Sequence, residues 1–154
     1  DQALHLLTLA IFAKAAPDIY ATGAYGDIAW MPKLMLYAAG LIYVTRAGGF
    51  AVGKLMAGFG DNPIKESLDK GGLWIGLLER GLIFLLLIGD MAGGIGFLVA
   101  AKSVLRFAAT QDGKKAEWVI IGTLASFGWA LAVTLAVMFV GAQLPDLGIA
   151  GQTP

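Results

Sequence analysis

Trp118 to Gly141 reads WVIIGTLASFGWALAVTLAVMFVG and contains no charged residue. A bilayer's hydrocarbon core needs roughly 20 apolar residues of helix to cross it, and this run exceeds that length. It predicts a transmembrane helix, and the reading of the rest of the chain works outward from it. Upstream, Leu73 to Gly89 (LWIGLLERGLIFLLLIG) is apolar except for Glu79 and Arg80, and Ala92 to Phe107 (AGGIGFLVAAKSVLRF) is uncharged until Lys102. Each is read as a further span. Leu34 to Phe59 is long enough for a fourth, but it carries Arg46, Lys54 and the pair Gly48-Gly49, where the helix is expected to kink or break. Composition agrees. The chain is 58% hydrophobic and 14% charged, with mean hydropathy +0.75, whereas a soluble domain runs at about half apolar and a quarter charged.

The N-terminal stretch Ala3 to Ala16 is too short for a clear span and reads as an interfacial piece or part of a longer helix. Pro17 is expected to end it. Asp18 to Lys33 then reads as a loop, with Tyr20, Tyr25 and Trp30 suited to the headgroup region. No signal peptide is read, since the first apolar stretch has no basic flank. The expected fold is all-α, a polytopic transmembrane helical bundle of about four spans plus a short N-terminal apolar helix. Its expected divisions are an N-terminal helix and loop over 1–33, a transmembrane domain over 34–141 and a non-basic tail over 142–154.

Lysines and arginines set the expected orientation. Lys54, Lys65 and Lys70 gather at the loop from Gly60 to Gly72, and Arg106, Lys114 and Lys115 gather at the loop from Ala108 to Glu117. The turn at Asp90 and the tail beyond Gly141 have neither residue type. Basic and non-basic loops alternate, so the positive-inside rule puts both basic loops in the cytoplasm. The C-terminus falls on the non-cytoplasmic side of a multi-pass protein.

Glu79 and Arg80 lie about a third of the way into their span, and an intramembrane charge is costly enough to mark a candidate site. Counting rise at ~1.5 Å per residue, Glu79 and Lys102 sit at similar depths on antiparallel neighbours. Arg46 lies deeper, within reach of Glu79 only by snorkelling. The candidate ligand or ion-pair cluster is therefore Glu79, Arg80, Lys102, Ser103, Arg106 and Arg46. Its simpler role is mutual neutralisation that fixes helix register. Small residues recur at one-turn spacing: Gly122, Ser126, Ala130 and Thr134 on the last span, Gly49 and Gly53 on an earlier one, Gly96 and Ala100 on another. These read as close-packing faces, with Ser126 and Thr134 expected to bond carbonyls.

Other chemistries find no residues. His5 is the one histidine and there is no cysteine, so neither a multi-histidine metal or haem site nor a thiolate site can be built within the chain. Gly93-Gly94-x-Gly96 lies in an apolar run and is no phosphate loop. No catalytic residue and no cofactor are assigned. Eleven basic and eleven acidic residues cancel, so nothing attracts nucleic acid. The expected partners are the lipid bilayer and other membrane subunits or copies of the chain itself.

Three segments, WIGLLERGLIF (Trp74 to Phe84), IGFLVAAKSVLRF (Ile95 to Phe107) and EWVIIGTLASFG (Glu117 to Gly128), resemble a family of bacterial inner-membrane proteins classed as a domain of unknown function. The resemblance covers about a third of the chain and implies an inner-membrane location. Its implied signature positions are Glu79, Arg80, Lys102, Ser103, Arg106, Glu117, Gly122 and Thr123. The family carries no established activity, so two functions stay open. One is a structural or accessory subunit of a membrane assembly or homo-oligomer, which the absence of catalytic groups prefers. The alternative is a small transporter, channel or lipid-active enzyme whose cationic cluster binds an anionic solute or headgroup.

Overall fold

The computed structural model describes residues 2–60, 71–107 and 113–147, and of 105–107 only the backbone. Among these residues all regular structure is helical: α1 (Gln2–Ala21), α2 (Met31–Ile42), a π-helical turn (Tyr43–Ala47), α3 (Gly48–Ala57), α4 (Gly71–Ile88), α5 (Gly93–Phe107) and α6 (Gly113–Gly141). Four runs are long and apolar enough to cross a membrane: α1, the continuous helix Met31–Ala57, α4 and α6. The chain is a multi-pass membrane protein with an all-helical fold.

The spans are not distributed quite as expected. α5 has 15 residues, about 22 Å at 1.5 Å per residue, and falls short of a full crossing. The turn before it explains part of the loss. Asp90 takes the left-handed conformation at φ 57, its N–H bonds Leu87 O at 3.1 Å, and Met91 N–H bonds Leu86 O at 2.7 Å. That pair of bonds is a Schellman stop, and it holds α5 back to Gly93. α1 is longer than read. Pro17 does not end it, because a proline deletes one N–H bond and apolar helices tolerate that loss. The helix stops at Ala21, where the Thr22 N–H and hydroxyl both bond Asp18 O, at 3.0 and 2.8 Å. The loop expected over Asp18 to Lys33 is thereby confined to 22–30.

The expected irregularity at Gly48-Gly49 is displaced upstream. Gly48 is itself helical, at φ -59 and ψ -36; the departure is the π turn before it. There the Thr45 hydroxyl shares its proton between Leu41 O at 2.7 Å and Ile42 O at 3.1 Å. Hydroxyl back-bonding of this kind competes with the regular ladder and deforms it.

Two compact units are present, Asp1–Met35 with Leu144–Pro154, and Leu36–Gln143. In the first, α1 buries none of its residues. Tyr20 Oη donates to Ile28 O at 2.8 Å, and buried Lys33 pairs with Asp146 at 2.7 Å. That pair ties the start of α2 to the tail read as separate.

The second unit is the bundle. Val44, Ile83, Phe84, Phe127, Ala130 and Val137 form its core. A Cβ on Gly40 would stand 2.8 Å from Val137 and 3.1 Å from Phe84, and one on Gly122 3.5 Å from Met56. The last turn of α2 therefore meets the C-terminal parts of α4 and α6, while the end of α3 meets the first part of α6. α4 and α6 run parallel to each other and antiparallel to α2–α3. Lipid is as apolar as leucine, so these close approaches are held by dispersion and polar contacts rather than by water exclusion.

Candidate functional site

Consecutive residues on a helix point about 100° apart, yet Glu79 and Arg80 are both buried, at 8% and 4% exposure. α4 makes this possible because it has neighbours on more than one side: α6, the π turn and α3, and α5. Each charge faces a different one.

Glu79 turns to α5. Its Oε2 accepts from Lys102 Nζ at 2.5 Å, and both side chains are nearly excluded from the surface. Lys102 Nζ also lies 5.1 Å from the centroid of the Phe127 ring, a cation–π distance. The sequence-read depth match between Glu79 and Lys102 thus corresponds to a direct ion pair between α4 and α5, with the Phe127 ring of α6 against the ammonium.

Arg80 turns the other way. Its Nη1 donates to Ser126 Oγ at 3.1 Å and its Nη2 to Thr45 O at 3.0 Å. The guanidinium passes between glycines. A Cβ on Gly76 would stand 2.9 Å from Nη1, and one on Gly48 would stand 2.8 Å from Arg80 Cδ and 2.7 Å from the Trp129 ring. Arg80 Nε is buried without a hydrogen-bond partner among the described residues. Arg80 is thus a bracket that ties α4 to the π turn and to α6 through neutral oxygens, and among the described residues no carboxylate pairs with it.

The remaining expected members do not join. Ser103 is exposed, and its hydroxyl donates to Val99 O at 2.9 Å on its own helix. Arg46 is exposed on the π turn, because the turn aims Thr45 O rather than the Arg46 side chain toward α4. The side chain of Arg106 lies outside the described residues. Glu117 is exposed, and Gly122 and Thr123 are half-buried.

The small-residue faces divide in the same way. Ser126, Ala130 and Thr134 on α6 are buried, and Thr134 Oγ1 donates one turn back to Ala130 O at 2.6 Å. Ser126 instead accepts from Arg80. Gly49 stands 3.4 Å from Arg80 Nη2, measured to a built Cβ, but Gly53 and Gly96 have nothing within 4 Å, and Ala100 is exposed. Those three face outward from the described bundle and take no part in its close packing.

Sequence reading missed Thr45, Gly48, Gly76, Phe127 and Trp129. Gly76 was findable, because it lies one turn before Arg80 on the same face. The others depend on pairings between helices that no local spacing encodes.

Among the described residues no group of three metal-binding side chains gathers. A concavity of about 690 Å³ lies along Leu9, Phe12, Ala16, Tyr20 and Tyr25, far from any of these charges in sequence. No protein-family model, curated protein or solved structure matches the chain.

Proposed function

We propose that this is a bacterial inner-membrane accessory subunit, a small helical bundle that packs within a larger membrane assembly. One observation carries the reading: the buried charges are engaged with the bundle itself, Glu79 with Lys102 and Arg80 with Thr45 O and Ser126. Groups committed to holding helices together are poor solute ligands, because releasing them leaves buried charge unpaired. Membership of the inner-membrane family rests on the three sequence segments it resembles. The helix directions support the orientation, since the end of α3, the start of α4, the end of α5 and the start of α6 fall on one side of the bundle, where Lys54, Lys114 and Lys115 lie.

Blue-native electrophoresis of membranes in mild detergent tests the assembly reading. A particle well above the size of the detergent-bound monomer is expected; a monomer throughout would sink it. The orientation is tested separately on the cysteine-free chain. In sealed right-side-out vesicles, Lys115→Cys should be protected from an impermeant thiol reagent and Gly151→Cys should react.

The competing reading is an anion-binding transporter or lipid-active enzyme. It draws on the surplus of cations over Glu79, and saturable binding of a phosphorylated headgroup by the monomer would favour it.

A further inference from the structure

We infer that the π turn is the docking site for a partner's transmembrane helix carrying an Asp or Glu near its middle, received by Arg46 and Tyr43. The inference rests on the accessory-subunit reading and gives the partner its chemistry. Arg46 is exposed, and Tyr43 is 55% exposed. Among the described residues neither polar group has a hydrogen-bond or ion-pair partner; the contact Tyr43 does make is a tilted ring contact with Trp129, centroids 5.7 Å apart.

Both groups lie deep in the membrane. Trp129 stands at the centre of the uncharged run Trp118 to Gly141. It touches the Tyr43 ring, and a Cβ on Gly48 would stand 2.7 Å from it; Tyr43 and Gly48 bracket Arg46. The nearer end of the helix Met31–Ala57 is roughly 16 Å from Arg46 at ~1.5 Å per residue, farther than an arginine side chain snorkels. Helical side chains also lean toward the N-terminus, which is away from that end. A mid-depth arginine facing lipid is costly and calls for a partner. Ile42 at 64% exposure and Phe50 at 82% lie one turn to either side of it and supply an apolar frame. Single π turns concentrate at functional sites.

The occupant follows by charge and depth. It must be anionic, and lipid headgroups lie at the surface. Among the described residues a second copy has no carboxylate to offer at that depth: Glu79 is buried on Lys102, Asp90 sits in a turn, Asp18 in the last turn of α1, and Asp27, Glu117 and Asp146 lie at or beyond helix ends. A carboxylate on another protein's helix remains.

The test uses the full chain, labelled through Gln2→Cys, in phosphatidylcholine vesicles, with an acceptor-labelled Leu/Ala host helix of about 20 residues. The host carries one central Glu, one central Gln, or the Glu moved to its end. Energy transfer should show association about tenfold tighter for the central Glu than for the other two, the scale of one strong interhelical polar contact. Arg46→Gln should abolish that preference and Tyr43→Phe should weaken it, both with wild-type helicity and unfolding temperature. Equal association of all three hosts, or a preference that survives Arg46→Gln, overturns the site. So does transfer between copies of the chain that Arg46→Gln removes, which would identify a second copy. Loss of the preference on adding phosphatidylglycerol overturns it in favour of lipid. An assembly in mild detergent that persists in Arg46→Gln overturns the site while leaving the subunit reading in place.

Discussion

Glu79 and Arg80 are neighbours in sequence but are satisfied by different means, and the difference predicts how each fails. Glu79 and Lys102 neutralise each other, so removing one leaves the other charge buried, a loss of about 3–5 kcal/mol. Replacing both with apolar residues removes the problem. Unfolding in detergent of Glu79→Leu, Lys102→Met and the pair together should therefore show strong non-additivity, with the double variant more stable than either single one. Additive losses would mean the pair is not the unit described here. Arg80 depends on absent side chains. Gly48→Ala would drive a methyl into the Trp129 ring, and an overpacked site of that kind costs about 1–3 kcal/mol. Gly53→Ala meets nothing within 4 Å and should be neutral or stabilising by up to about 1 kcal/mol. Equal unfolding temperatures for the two variants would dismiss the glycine slot.

At the scale of the element, helix existence was legible and helix ends were not. Apolar runs announced α4, α5 and α6, and the charge-free stretch of α6 left no other reading. The extent of α1 depended on whether one proline outweighs an apolar context, and local rules favour stopping where the structure continues. The π turn had no visible signal, because the Thr45 hydroxyl, the Leu41 carbonyl and Arg80 act together only once α4 is alongside. The Glu79–Lys102 pair was legible for the opposite reason: two spans joined by a short turn must run antiparallel, so depth can be counted from sequence. The Schellman stop yields its own expectation. Asp90 holds a left-handed conformation that glycine adopts without strain, so Asp90→Gly should stabilise the protein by about 1 kcal/mol, read as a higher unfolding temperature in detergent. A drop would show that the Asp90 side chain has a role beyond its backbone.

Across the whole molecule, the long helix Met31–Ala57 is the member read by both ends of the bundle. Gly40 fits Val137 and Phe84 near one end, and Met56 fits Gly122 near the other. The π turn lies between these fittings and takes up one residue without moving either. In genetic terms it behaves as a single extra codon. Its five residues close one i→i+5 turn where four would close an α turn, so deleting Ala47 in frame should restore a regular α-helix with both halves still in phase and both fittings kept. Deleting Val52 instead removes a residue from regular helix and turns Met56 by about 100° relative to Gly40. Thermal unfolding should therefore show the Val52 deletion as much the more destabilising of the two, at similar helix content by circular dichroism, and equal losses would refute the account. Between its two pinned ends the reading frame of contacts forgives the loss of a residue at the turn and nowhere else.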